Sequence, residues 1–154
     1  MVDNITPRMQ QEEPSTDLVK KVFVYGTLKS GGEIRGLDMY GNHSSIVGKA
    51  KTKYPDYEMI SLGAFPGVLT GGDKHIQGEV WEVSQALADE IDDIEGYPSF
   101  YNKVMVDTTL GRAEMYFLDR NAYKKYIGQT DDQLVLDGNT YIWKNNGKLY
   151  RQVN

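Results

Sequence analysis

Glu95 and the segment Val22-Phe23-Val24-Tyr25-Gly26-Thr27-Leu28-Lys29 are the residues of this chain whose types and placement could do chemistry. The bulky and β-branched residues at 22–25 read as a buried strand, and Gly26 permits a sharp turn free of a Cβ clash. Such a turn aims consecutive N–H groups into one concavity, a nest for a carboxylate or an oxyanion when no side chain fills it. On spacing alone the same residues also describe an ordinary strand exit. Glu95 follows a predicted helix over 84–94. At about 100° per residue, Leu87, Ala88, Ile91 and Ile94 form one apolar stripe while Asp89 and Asp93 point away. Glu95 projects between Ile91 and Ala88, toward the core, although a helix end that frays outward would leave it in solvent. A carboxylate carried toward an apolar face loses hydration, which disfavours its charged form and raises its pKa. A carboxyl tuned in this way takes and returns protons well near neutral pH.

The elements that must position these groups follow from pattern. Ser84 is the expected N-cap of the helix, Gln85 to Ala88 are good helix formers, and Gly96 and Pro98 stop it. Strands are expected at 21–26, 44–51, 57–62, 76–83, 101–109 and 112–118, where β-branched and aromatic residues alternate. Residues 63–75, with Phe65-Pro66-Gly67 and Gly71-Gly72, read as a loop at the rim of the site that selects the tail of a ligand. A short helix is expected from Arg120 to Ile127 and one extended segment from Gln133 through Trp143. Residues 1–18 read as a polar, mobile leader and 19–154 as a single domain. Many short strands with one firm helix give an α+β class built on a curled sheet or small barrel.

Composition narrows the function classes. A chain of 154 residues, 40% hydrophobic and 25% charged, is sized for one domain with a proper core. A formal charge of −5 argues against a broad nucleic-acid-binding face. The lack of Cys excludes a disulfide scaffold and fits a reducing cytoplasm. No apolar run reaches membrane-spanning length, and Met1 to Pro14 has no signal-peptide core. His43 and His75 are far apart, with no companion spacing of a metal site or a catalytic triad, and read as surface residues. Ser30-Gly31-Gly32-Glu33 lacks the Gly-Lys-Ser/Thr ending of a phosphate loop and reads as a flexible turn. Asp92 and Asp93 read as solvated helix surface, and Trp81 as core.

Taken in order, Val22 to Lys29, Gly78-Glu79-Val80-Trp81-Glu82-Val83, Ile91-Asp92-Asp93-Ile94-Glu95-Gly96, Tyr101 before Val104-Met105-Val106, and Ala113-Glu114-Met115-Tyr116 resemble the γ-glutamylcyclotransferase-like (AIG2-like) family. The resemblance covers about residues 20–120. It implies a small mixed β-barrel with flanking helices. It also implies a reaction in which the α-amine of a γ-glutamyl group attacks its own γ-carbonyl, releasing 5-oxoproline and an amine or amino acid. By similarity Glu95 is the acid/base residue. The turn Tyr25, Gly26, Thr27 and Leu28 contacts the glutamyl group, and Tyr101 and Tyr116 could present hydroxyls to it, or be core residues with satisfied hydroxyls. No cofactor or metal is implied, and the expected partner is a small γ-glutamyl compound. A second class fits the same residues, a module that binds or sequesters a small metabolite without turning it over.

Overall fold

The computed structural model describes residues 13–31 and 36–145. Residues 1–12, where most of the expected leader falls, lie outside them, as do Gly32 and Glu33 of the expected flexible turn. Strand β1 (Leu18–Val24) lies between β5 (His75–Ser84), antiparallel to it, and β7 (Gly111–Phe117), parallel to it. Strand β6 (Asn102–Thr108) pairs with β7, and β2 (Ser44–Lys51) pairs with the other edge of β5. At one end the sheet meets itself. Thr52 bridges Thr108, Lys53 N–H donates to Asp107 O at 2.8 Å, and Thr109 N–H donates to Lys51 O at 3.0 Å. The result is a curled mixed sheet, the α+β architecture expected from the sequence.

The unbroken apolar run of β1 has a direct cause, because both faces of the strand are covered. Val22 and Val24 face one core with Leu87, Ala88 and Ile91, while Phe23 and Tyr25 face a second with Met59, Val68, Met115 and Trp143. The first core is closed by helix α1 (Gln85–Ile94), whose N-cap Ser84 accepts from Leu87 N–H at 3.1 Å. Gly96, in the left-handed region at φ 67°, ends that helix, and its N–H returns to Asp93 O.

Three elements differ from expectation. The segment read as a loop at 63–75 contains a strand, β4 (Pro66–Thr70), which pairs with β3 (Tyr57–Ser61) and bridges to Leu118. Pro66 is tolerated because it is the first residue of the strand, and Gly67 because Leu118 packs where a Cβ would stand. The single extended segment at the end is a hairpin of β8 (Leu134–Asp137) and β9 (Thr140–Trp143), turned at Gly138 with φ 66°. The last helix is shorter than expected: α2 (Arg120–Tyr123) tightens into a 3-10 turn at Lys124–Tyr126.

Strand β9 settles the end of the sheet. It runs parallel to the start of β5, with His75 N–H donating to Asn139 O at 2.8 Å. The next residue of β5, Ile76, spends both backbone groups on Thr52. Successive amides of a strand point to opposite edges, so β9 sits on the edge shared with β1. Where β1 turns away after Val24, β9 takes its place beside β5.

Candidate active site

The turn that leaves β1 and the residue that ends α1 line one pocket of about 160 Å³. Tyr25, Gly26, Thr27, Leu28, Glu95, Tyr101 and Tyr116, the residues singled out from the sequence, all lie on its wall. Glu95 is half-buried, as expected from a projection toward the core. Lys29 N–H closes the turn on Gly26 O at 3.0 Å, and Leu37 N–H donates to Leu28 O at 2.9 Å. Among the described residues, none accepts from the N–H groups of Gly26, Thr27 or Leu28. Gly26 has no left-handed backbone, so the reason for glycine differs from the one read from sequence. A Cβ there would sit 2.8 and 2.9 Å from ring carbons of Pro66. The turn is packed directly onto the unforeseen strand β4.

The three tyrosines donate their hydroxyls within the protein. Tyr25 donates to Tyr116 O at 2.9 Å, Tyr101 to Pro66 O at 2.6 Å, and Tyr116 to Asp92 Oδ1 at 2.5 Å. Their rings wall the pocket while their hydroxyls tie β7, β4 and α1 together. Burial is the largest cause that holds the pKa of each above the ordinary phenol value, and the negative charge of Glu95 adds to it in all three. For Tyr116 the hydrogen bond and charge of Asp92 contribute as well. Three neutral phenols around one carboxylate leave Glu95 as the acidic group of the wall. Phe65 and Phe100 complete it, their rings edge to face at 6.0 Å, with Phe100 also edge-on to Tyr101 at 4.9 Å.

Several supporting groups escaped the sequence reading. Asp92 is not solvated surface: besides Tyr116 it holds Lys103 Nζ at 3.1 Å, which fixes the last turn of α1 to the β6–β7 hairpin. Asp93 is exposed as expected. Glu79 is buried. Its Oε1 accepts from Ser30 N–H at 2.7 Å and from Trp81 Nε1 at 2.9 Å, and its Oε2 accepts from Ser30 Oγ at 2.7 Å. Glu79 thereby anchors the far end of the turn, and Trp81 is core as expected. Neither histidine is free surface. Both are half-buried, His43 Nδ1 hydrogen-bonding with Ser84 Oγ at 2.7 Å and His75 Nδ1 donating to Thr52 O at 2.8 Å. A buried Glu in an apolar strand, two residues before a Trp, was the one sequence signal available for the Glu79 anchor. For Pro66 the signal was the Val68-Leu69-Thr70 run behind it.

Known proteins resemble this chain in sequence and in fold. A protein of Vibrio cholerae, provisionally named a γ-glutamylcyclotransferase, is 37% identical over 95 residues, which are 62% of this chain and 78% of that one. A similarly named protein of Methanocaldococcus jannaschii is 33% identical over 121 residues, covering 70% of this chain and 98% of its own. The crystal structure of a mouse AIG2-like protein shares the fold with a TM-score of 0.57 at 24% identity, over 64% of this chain and 76% of that one. A solution structure from Arabidopsis thaliana does so at 0.60 and 21%, over 78% and 74%. Residues 22–152 match the family described as Gamma-glutamyl cyclotransferase, AIG2-like. Since that match runs from β1 through both walls of the pocket and past the end of β9, the chain belongs to this family.

Proposed function

We propose that the protein is a γ-glutamyl cyclotransferase that releases 5-oxoproline from a small γ-glutamyl compound, with Glu95 as its acid/base. The observation that carries this reading is the shared pocket: one half-buried carboxylate stands on the same wall as a turn whose Gly26, Thr27 and Leu28 N–H groups donate to no partner among the described residues. An ammonium cannot attack a carbonyl, so the Glu95 carboxylate takes a proton from the α-amine. The amine nitrogen then bonds to the γ-carbonyl carbon and the amide C–N bond breaks. Glu95 returns the proton to the departing nitrogen and the ring nitrogen gives up its remaining excess proton to the same nitrogen, which leaves as an ammonium, so atoms and charge balance with no covalent enzyme intermediate. Nucleophile and electrophile share one molecule, so the pocket has chiefly to hold a bent conformer, and such closure supplies several kcal/mol of the barrier. The N–H groups of the turn are suited to the substrate carboxylate or to the developing oxyanion, where one well-aimed donor contributes about 3 kcal/mol in acyl-transfer enzymes. The phenols of Tyr25, Tyr101 and Tyr116, held protonated, present uncharged walls that do not compete with Glu95 for the proton.

Release of 5-oxoproline from a panel of γ-glutamyl amines and γ-glutamyl amino acids tests the reading. Glu95→Gln, which keeps the shape and loses the base, is expected to lower kcat by about a hundredfold or more while 5-oxoproline still binds. Undiminished turnover by that variant would remove Glu95 from the mechanism. Saturable ligand binding without product from the wild-type chain would make the pocket a binding module.

A further inference from the structure

Further along the same turn a second pocket, of about 300 Å³, opens between Lys29 and Ser30, the Gln77-Gly78-Glu79 stretch of β5, Lys49 of β2 and the residues that follow β9. Three lysines line it, Lys29, Lys49 and Lys144, together with Asn145. Glu79, the one carboxylate among the described residues of its wall, already accepts three hydrogen bonds, from Ser30 and Trp81. Three lysines against one glutamate leave the wall with a formal excess of two positive charges. Among the described residues, no carboxylate is in ion-pair contact with any of these three amines.

Lys29 is the most telling of them. It is half-buried and gives one N–H to Trp143 O at 2.6 Å, which leaves two of its three donors to spend. Burial lowers its pKa, the charge of Glu79 opposes that, and the like charge of Lys49 adds to the lowering. Two amines that repel one another across a hollow, with the neighbouring acid satisfied elsewhere, are stabilised together by a counter-anion. Trp143, also on this wall, is fully buried, and among the described residues its indole N–H meets no acceptor. With two Lys29 donors unspent, the surplus is of donors as well as of charge. An anion with several acceptor oxygens satisfies both, because charge-assisted hydrogen bonds from lysine are among the stronger ones available.

We infer that this second pocket binds a small oxyanion of the carboxylate or phosphate class, held by Lys29 and Lys49 with Asn145 as a neutral donor. The site does not depend on the chemistry of the first pocket, but it touches the same turn. Lys29 N–H and Asn145 Nδ2 both donate to Gly26 O, at 3.0 and 3.3 Å. An occupant of the second pocket therefore meets side chains of the residues that hold a carbonyl of the first.

Titration of the full chain with inorganic phosphate, against sodium chloride at matched ionic strength, tests the inference by the indole N–H resonances of Trp81 and Trp143. A saturable shift of the Trp143 signal with phosphate and none with chloride is the expected result. A parallel titration with acetate distinguishes the two classes: saturation by both means that a carboxylate suffices, and saturation by phosphate alone assigns the phosphoryl class. Lys49→Met, at an exposed position, is expected to weaken the midpoint about threefold to tenfold, and Lys29→Met to abolish saturation. Should Lys29→Met fail to fold, Lys49→Met decides. Equal responses to phosphate and chloride, or a wild-type midpoint in Lys49→Met, would overturn the site.

Discussion

Burial and the charge of Glu95 together set the state of the phenols around it. Tyr25, Tyr101 and Tyr116 are kept protonated by burial first and by its negative charge in addition, so at ordinary pH the tyrosines of this wall stay neutral. The same shifts fix an alkaline limit of stability. In the unfolded chain a tyrosine ionises near pH 10, whereas in the native chain these three hold their protons higher. The native state then binds more protons than the unfolded one above about pH 10. The stability they contribute is complete below that value and is lost as pH rises through the native pKa values. Of the 11 tyrosines, these three are expected to yield phenolate absorbance only as the chain unfolds. Ionisation of all 11 near pH 10 with the far-ultraviolet spectrum still native would contradict the burial argument.

At the scale of elements, the turn is specified less by its own sequence than by what is packed against it. Gly26→Ala places a methyl group against the Pro66 ring, which cannot swing aside as the end of a flexible chain would. The expected cost is about 1–3 kcal/mol, the usual range for overpacking. Displacement of the pocket wall should accompany it, read as a lower urea midpoint and weaker 5-oxoproline binding. A variant as stable as wild type would mean that β4 yields. The helix that brings Glu95 to the wall depends on its cap in the same way. Ser84→Ala removes the acceptor for Leu87 N–H and the partner of His43 Nδ1, and is expected to cost about 1 kcal/mol. Both halves of the site were legible in the sequence, the run 22–25 by its unbroken hydrophobicity and the helix by its cap and stripe. The wall of β4 was not, because Pro66 and Gly67 carry the composition of a loop, and only their place at a strand start beneath Leu118 makes them sheet.

At the scale of the molecule, the C-terminal hairpin completes the support of the turn. Strand β9 fills the edge that β1 leaves, Trp143 O receives Lys29 Nζ, and the Trp143 ring is buried in the core that also holds Phe23 and Tyr25. Trp143→Ala is therefore expected to destabilise the fold by about 3–5 kcal/mol, as large core truncations do. It should also loosen residues 26–29 before the rest of the sheet, measurable as faster amide exchange in that segment. Uniform acceleration throughout the chain would show that the hairpin stabilises the molecule without bearing on the turn.

Local pattern by itself determined the α+β class, the capped helix ending at Glu95 and the turn after Tyr25, because hydrophobic period, capping and turn chemistry act over a few residues. The family resemblance followed from the same short segments. Tertiary structure alone decided that the two stretches, some 70 residues apart in the chain, share one hollow. It also decided that Glu79 and Asp92 serve as anchors and that the tail returns to the edge of β5. A carboxylate reads the same in sequence whether it meets water or buried donors. What separates the two is the folding of distant strands around it, and that depends on contacts no local window contains.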